Sequence, residues 1–595
     1  MLGLLSRTHA QYSCKPTPES HDWPSITAWN ALNATINGRL LSPVIPGAVC
    51  YPSRPEFNSD QCADVTSQWS NTSFHASNPV SVDYNDDTCV PEGNVTCSGD
   101  GYPTYVINVH SACDIQSGIN FARETGVRLV IKATGHDLVG SRSSGPDSLS
   151  LYTQHLRGLE LNRSDPRATA LGGVASMKIY TGEQFRGIYR FAADHNVTAI
   201  GGGDPNVGIA GWLMGGGHGP LTAKYGMGAD QVIEMEVVTA DGRLRTVNEK
   251  QDPDLFWALR GLSNSHYRHS GGAGTFAVLV SVTMKVYPVI PASYITYEYS
   301  TTPNSDTYWS LAGFLHSQIP AMAERGLSGY YIIEPNDVSE ADINKRGKLS
   351  GRWIALDLSK EAAAALLAPV ESYANETSLP DDISIKSNIT TTTSFMDFWL
   401  RTKAADSAGY NVRMGSRLLT NTSLLGSQEK LINALRTATT SPTESNSPLI
   451  LIGSIVGPAP NARHRIGGIA GGSNAVLPAW PETYSHLMVP RTWTTGDTAE
   501  KSAITTDLRE IRVPALRDIE PESGAYMSES DPTEVDWQRT KYGVNYAGLL
   551  STKQRYDLRG VFWCTQCVGS ELWDTIGDFG VENGVNQNIV RLCRK

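Results

Sequence analysis

From Tyr105 onward the apolar positions fall into short runs whose period switches between two and about 3.6. Tyr105-Val-Ile-Asn-Val-His110 reads as a strand. Ser111-Ala-Cys-Asp114 then has the form of a capping box, with Asp in place of Glu. Ile115, Ile119 and Ala122 follow at helical spacing, and Gly126 can supply the left-handed stop. Val127 to Ile131 reads as a buried strand running into the sharp turn Ala133-Thr-Gly-His-Asp137. Leu149-Ser-Leu151 and the alternating stretch Leu156 to Leu161 come next, then a helix from about Thr181 to His195. Gln231 to Val238 alternates outward Glu234 and Glu236 with inward Ile233, Met235 and Val237. Asp241-Gly242 marks a hairpin before Leu244 to Val247; Asp254 to Leu259 is a short helix and Thr275 to Val286 a strand.

Past about residue 290 the pattern changes. Tyr294 to Tyr299, Tyr330 to Glu334, Gly351 to Leu358 and Leu449 to Val456 look like strands. Ser305 to Arg325, Glu361 to Tyr373 and Leu424 to Thr437 look like helices. Trp480-Pro-Glu-Thr-Tyr-Ser-His486 reads as a strand with Tyr484 and His486 on one face. Tyr542-Gly-Val-Asn-Tyr546 restores a compact pattern and opens a helix through Leu549 and Tyr556. The fold class is therefore α+β, with a second α+β domain built on a broad antiparallel sheet. Residues 1–100, rich in Pro, Asn, Ser and Cys, read as an irregular, disulfide-stapled extension. No GxGxxG joins a strand to a helix with an acidic residue about twenty positions on, which excludes a Rossmann unit.

Residues 201–219, GGGDPNVGIAGWLMGGGHG, hold nine glycines in nineteen positions. Glycine costs about 1 kcal/mol against alanine in a helix interior. Its use is the missing Cβ, which lets backbone N–H groups approach a ligand. With Val207, Ile209, Trp212, Leu213 and Met214 among them, these glycines read as backbone wrapped around a large, partly anionic cofactor.

Charge and cysteine usage narrow the classes. The 595 residues carry a net charge of −11, without a basic block, which argues against nucleic-acid binding. No apolar run approaches the roughly twenty residues of a membrane helix. Sequons stand at Asn33, Asn71, Asn94, Asn162, Asn196, Asn375, Asn388 and Asn421. Together with nine cysteines they point to a secreted glycoprotein. Leu2, Leu4 and Leu5 before Thr8-His9-Ala10 resemble a clipped signal-peptide end. Short separations suggest the disulfides Cys50–Cys62 and Cys89–Cys97. The CxxC of Cys564 and Cys567 reads as a structural disulfide, local or to another segment, and the odd count leaves a thiol over. His266 and His269 lack a third ligand, so no metal site is expected.

Several segments resemble one family in order. They are Gly135-His-Asp-Leu-Val-Gly140 with Ser144-Gly-Pro146, Gly215-Gly-Gly-His-Gly219, Tyr225-Gly-Met-Gly-Ala-Asp-Gln-Val232, Asp254-Leu-Phe-Trp-Ala-Leu-Arg260, Gly271-Gly-Ala-Gly-Thr-Phe276, and Tyr542-Gly-Val-Asn545 with Tyr556-Asp557. Together they resemble the fungal FAD-linked oxidases of the vanillyl-alcohol oxidase superfamily, berberine-bridge-enzyme-like branch. The resemblance departs from the family at residues 262–270, which separate Gly261 from Gly271. It implies a two-part, PCMH-type FAD-binding domain from residues 101–290, completed by the return segment 521–595, with a substrate domain at 291–520 inserted between. It assigns FAD contacts to Ala133, Thr134, Gly135, Asp137, Leu138, Gly140 and Ser141. In the glycine loop it assigns Gly203, Asp204, Val207, Gly208, Gly211, Gly215, Gly216, Gly217, His218 and Gly219, and from the return segment Asn545. His136 matches the histidine that carries the flavin 8α-methyl. Asp204 takes the place of a second, cysteinyl tether, so attachment through one histidine is implied. Val207 matches the position that gates oxygen, where valine goes with oxidase behaviour.

The expected reaction is removal of a hydride from a hydroxyl-bearing small molecule, such as a carbohydrate, phenolic or secondary-metabolite alcohol. O₂ is the expected acceptor, giving H₂O₂, and the protein is expected to be a monomer. A base must take the hydroxyl proton. Glu529, in the stretch Gly524 to Asp531 that resembles the family's flavin-facing segment, is the first candidate; Tyr484 and His486 are the others. The alternatives are an FAD-dependent dehydrogenase, an oxidative-cyclisation enzyme, and a non-catalytic flavin- or glycan-binding secreted protein.

Overall fold

The computed structural model describes residues 14–85, 88–91, 96–136, 138, 143–261, 275–336, 346–377, 383–402, 407–440, 449–457, 474–576 and 591–595. A first sheet has the order β1-β2-β4-β3, from strands β1 (Leu40–Leu41), β2 (Tyr105–Asn108), β3 (Arg128–Lys132) and β4 (Ser148–Tyr152). Strands β2 and β3 both run parallel to β4. The crossover helix Ala112–Thr125 carries the expected Ser111/Asp114 capping box and ends at Gly126 with φ +78°. Its Ile115, Ile119 and Ala122 pack on β2 to β4.

A second sheet is antiparallel, with the order β5-β6-β10-β8-β9 and β7 beside β10. Its strands are β5 (Leu159–Asn162), β6 (Ala175–Tyr180), β7 (Val197–Thr198), β8 (Val232–Thr239), β9 (Leu244–Val247) and β10 (Ala277–Pro288). Under it the helices Phe185–Asp194 and Ile209–Met214 enter the largest apolar core.

The N-terminal stretch is more ordered than its composition suggested. It forms the helices Ile26–Thr35, Ser59–Gln68 and Thr72–Ser77. Trp29, Leu32 and Ile36 fall on one helical face, and all three join the core of the first sheet. Disulfides link Cys50 to Cys62 and Cys89 to Cys97, as the spacing suggested, and Cys564 to Cys567. A fourth, Cys14–Cys593, spans 579 positions, ties the two ends of the described chain together and has no local sequence signal.

The third sheet has seven antiparallel strands in the order β14-β11-β13-β12-β16-β17-β15. They are β11 (Ala292–Thr301), β12 (Leu327–Glu334), β13 (Gly347–Leu356), β14 (Ser384–Thr392), β15 (Asn411–Thr420), β16 (Leu451–Ile455) and β17 (Thr483–Trp493). Odd-numbered residues share one face. Ile295, Tyr297, Tyr331, Ile333, Leu349, Trp353, Leu451, Leu487 and Val489 all pack beneath the helices Asp306–Glu324, Lys360–Thr377, Gln428–Thr439 and Val513–Ile519. Two glycines admit tyrosine rings there: a Cβ on Gly453 would lie 1.9 Å from Tyr331, and one on Gly351 2.3 Å from Tyr297. The helix expected at Leu424 to Thr437 starts later, because Ser427 caps Gln428–Thr439 by accepting from the Lys430 N–H.

The return segment closes the first half of the chain. Helix Tyr546–Tyr556 lies against the helix Pro253–Leu259, with Arg555 Nη1 2.8 Å from Asp254 Oδ2. Buried Lys553 Nζ donates to the carbonyls of Thr275 and Phe562 and to Asp557. A short two-stranded sheet, β18 (Trp573–Ile576) with β19 (Arg591–Arg594), ends the fold.

Candidate active site

A cavity of about 910 Å³ opens between the glycine loop and the even-numbered face of the seven-stranded sheet. Gly202, Gly203, Asp204, Val207, Trp212 and His218 form its floor. Tyr330, Ile332, Ser350, Arg352, Ile452 and Met488 contribute the roof, Tyr84, His136 and Leu138 stand at one side, and Tyr526 and Glu529 also line it.

Three side chains from distant parts of the chain converge there. Glu529 Oε2 lies 3.1 Å from His218 Nε2 and 3.3 Å from His486 Nδ1. His218 comes from the glycine loop, His486 from β17 and Glu529 from the return segment. The Glu529 N–H donates to the Tyr526 carbonyl at 3.1 Å, and this turn puts both residues in the cavity. The rings of Tyr526 and Trp480 surround the histidines, with Tyr526 edge-on to His218 at 4.9 Å. His486 is fully buried, and burial pushes its pKa down to about 3 against the opposing pull of Glu529. It is therefore neutral at neutral pH, and its Nδ1 approaches the carboxylate without the alignment of a hydrogen bond. The three ligand-type atoms lie within 4.8 Å of one another, a spacing that a cation can also bridge.

Tyr484 is not part of this cluster, contrary to the expectation that it shares a face with His486. Residues Trp480–Glu482 form a 3₁₀ turn, and the pairing of β15 with β17 slips between Leu419↔Ser485 and Thr420↔Thr483. Tyr484 occupies that bulge and turns to the helix-covered face, where its hydroxyl donates to Glu324 Oε1 at 2.6 Å. A bulge adds one residue and so inverts the alternation that period two assumes.

At the other side of the cavity, His136 Nδ1 lies 2.8 Å from Asp83 Oδ2, both side chains being buried. The Asp83 N–H donates to the Gly135 carbonyl. Behind them Lys132 Nζ donates to the carbonyls of His75, Asn78 and Thr134. Burial pushes its pKa down to about 7, opposed by the charge of Asp83. Asp83 and Lys132 carried no motif, and Asp83 comes from the N-terminal stretch.

Residues 103–248 match the family model for an FAD binding domain, and residues 525–569 the model for berberine and berberine-like proteins. The chain is 32% identical over 601 residues to an uncharacterized FAD-linked oxidoreductase of Arthroderma benhamiae, covering 97% of this chain and 98% of that one. It is 32% identical over 595 residues to a bifunctional decalin synthase of Penicillium decumbens, covering 97% and 96%. The crystal structure of a VAO-type flavoprotein from Myceliophthora thermophila matches with a TM-score of 0.86 at 27% identity, covering 98% of this chain and 100% of that one. The chain is an FAD-linked oxidoreductase of the vanillyl-alcohol oxidase superfamily, berberine-bridge-enzyme-like branch.

The structure of this oxidoreductase suits the cofactor. Thr134, Gln154 and Thr181 stand just past the ends of β3, β4 and β6, and each has a buried side-chain oxygen without a hydrogen-bond partner among the described residues. Such atoms are costly unless a ligand satisfies them, and FAD offers ribityl, ribose and phosphate groups that can. Ala133 and Thr134 pack on Gly208, which joins the His136 turn to the glycine loop. Asp137, Gly140, Ser141, His266 and His269 lie outside the described residues.

The glycine loop differs in detail from a simple ligand cradle. A Cβ on Gly219 would lie 2.0 Å from the Gly201 carbonyl oxygen, and one on Gly217 2.7 Å from the Trp212 ring. Gly215 faces Ser528 Oγ, and Gly211 lies inside the helix Ile209–Met214. Gly216 has φ +101°. These glycines let the loop fold tightly on itself around Trp212, whose Nε1 donates to the His218 carbonyl at 2.8 Å. Gly203, Asp204, Val207 and His218 line the cavity. His218, assigned to cofactor binding from its motif, is placed beside the Glu529 carboxylate. Asn545 Nδ2 donates to the carbonyls of Ala475 and Val476, so this residue holds a neighbouring loop.

Proposed function

We propose that this FAD-linked oxidoreductase is a secreted oxidase that converts a hydroxyl-bearing carbon to a carbonyl and returns the two electrons and two protons to O₂ as H₂O₂. The observation that carries this reading is the Glu529 carboxylate set between His218 and His486 inside the cavity. When bound, FAD supplies the two-electron acceptor for the carbinol carbon and passes the electrons to O₂. Glu529 takes the hydroxyl proton. His218 fixes the carboxylate through its hydrogen bond, neutral His486 lies beside it, and the rings of Trp480 and Tyr526 exclude water around it. The low-dielectric wall strengthens the interaction of Glu529 with the hydroxyl.

His136 is the residue proposed to tether the flavin, and the tether is single. Eight of the nine cysteines are in disulfides, and the ninth, Cys113, is exposed on the helix Ala112–Thr125. Asp204 Oδ1 accepts from the Asn206 N–H at 2.6 Å at the place a second tether would occupy. Val207 presents a small side chain to the cavity, which supports O₂ as the acceptor. Exposure of Asn71, Asn162, Asn196, Asn375, Asn388 and Asn421 supports an extracellular glycoprotein, as do the four disulfides. No described helix is long and apolar enough to cross a membrane.

A second reading, oxidative cyclisation in secondary metabolism, draws on the likeness to the decalin synthase. The test is anaerobic reduction of the holoenzyme with a panel of alcohols, followed by reoxidation with O₂ or a quinone. Rapid reoxidation by O₂ with stoichiometric H₂O₂ and a carbonyl product supports the oxidase. Faster reoxidation by the quinone identifies a dehydrogenase, and a ring-closed product identifies the cyclase.

A further inference from the structure

Two cross-strand rows of side chains cross the cavity roof. One runs through His486, Ser454, Tyr330, Arg352, Thr296 and Asn388, on β17, β16, β12, β13, β11 and β14 in turn. The other runs through Met488, Ile452, Ile332, Ser350, Glu298 and Lys386 on the same strands. The first starts at His486, beside Glu529, and both end on β14 at the sheet edge. The second row is apolar over its first three members and turns polar at Ser350.

Charge enters the roof in two places, and they differ. Glu298 is neutralised by Lys386, with Nζ 2.8 Å from Oε1. Arg352 is exposed, lines the cavity and has no carboxylate within ion-pair distance among the described residues. Among the described residues Arg352 is thus the cavity-lining cation of the roof whose charge no carboxylate neutralises. Its planar fork of donors suits a carboxylate in two-point contact. Three strand spacings separate Arg352 from His486, roughly 14 Å at about 4.8 Å per strand.

We infer that Arg352 anchors the anionic end of the substrate. The molecule oxidised is an extended hydroxy carboxylate: its carboxylate sits on Arg352, its apolar body lies along Ile332, Ile452 and Met488, and its hydroxyl reaches Glu529. The inference rests on the proposed oxidation of an alcohol at Glu529 and names the substrate class for that site.

The test uses flavin-loaded enzyme and two probe series: straight-chain ω-hydroxyalkanoates of increasing length with their methyl esters, and the matching alkanoates without the hydroxyl. Anaerobic loss of flavin absorbance reads oxidation, and perturbation of the flavin spectrum by the non-reducing alkanoates reads binding. Wild type is expected to bind the acid that spans the roof about tenfold to a hundredfold more tightly than its ester, the effect of one charge-assisted contact. Added salt should weaken the acid alone. Arg352→Gln should abolish the preference by raising KM with little change in kcat, and Arg352→Lys should restore part of it. Equal binding of acids and esters by wild type overturns the inference, and so does an acid preference that survives in Arg352→Gln. If the acids bind with the Arg352-dependent preference but no hydroxy acid reduces the flavin, the anchor stands and the proposed oxidation falls.

Discussion

The floor and the roof of the cavity are built by opposite means. The floor is irregular backbone, in which glycines at 215, 217 and 219 fold the chain tightly around Trp212 and leave Gly203, Asp204, Val207 and His218 facing inward. The roof is regular sheet, in which parity alone decides which residue faces the cavity and which the helices. The floor tolerates no added side chain at its tight points; the roof tolerates none at Gly351 and Gly453, and no change of register. A single bulge makes the point. It turns Tyr484 to the helix side while His486, two positions on, remains in the cavity.

The largest effect expected from the floor side is all-or-none. His136→Ala should remove covalent flavin completely, so that an acid-treated denaturing gel shows no fluorescent protein band. Flavin retained on a different peptide after tryptic digestion would assign the tether elsewhere. On the roof, Gly453→Ala drives a Cβ into the Tyr331 ring, which is fully buried beneath the helices. Overpacking of this kind costs about 1–3 kcal/mol. Thermal unfolding should show that loss while the His136 tether still forms, because Gly453 faces Tyr331 beneath the helices and not His136. Failure of flavinylation in this variant would show the two regions to be one folding unit.

The return segment that joins the two regions makes a pH-dependent prediction. Asp531 is fully buried, and burial pushes its pKa up to about 6 from 3.8. The native state then holds the proton more tightly than the unfolded chain does. This contribution favours folding below about pH 3.8 and is lost as pH rises towards 6. Asp531→Asn keeps the oxygen that accepts from Thr533 and removes the titration. Its stability relative to wild type should climb by about 1–2 kcal/mol between pH 4 and pH 6 and level off above, as read by denaturant unfolding. A difference that stays flat with pH would place the titration elsewhere. The smallest effect is expected at the bulge. Tyr484→Phe loses the hydrogen bond to Glu324, worth about 1 kcal/mol, and should leave the rate of flavin reduction unchanged. A large fall in that rate would return Tyr484 to the active site.

The same contrast explains what was legible in the sequence. The crossover helix declared its start at Ser111 and its stop at Gly126, because capping and positive φ restrict residue type. The glycine loop stood out for the same reason, and His136 through the family resemblance of Gly135 to Gly140. Strand β14, Ser384–Thr392, is a polar edge strand with little apolar alternation, and β15, Asn411–Thr420, buries Arg413 and Arg417. Neither looks like a core strand in one dimension. Asp83 meets His136 across 53 positions, and His218 meets Glu529 across 311. No local pattern encodes such pairs. Tyr526 was concealed in another way: it sits three residues before Glu529 in the stretch already singled out, and only the turn between them shows that both face the cavity.

The proposed oxidation turns on Glu529 taking the proton from the substrate hydroxyl. Rapid anaerobic mixing of wild-type and Glu529→Gln holoenzymes with the same reducing alcohol tests it directly. The variant is expected to keep its covalent yellow flavin, and its flavin to bleach on the order of 10²–10⁴-fold more slowly. Bleaching at the wild-type rate would contradict it.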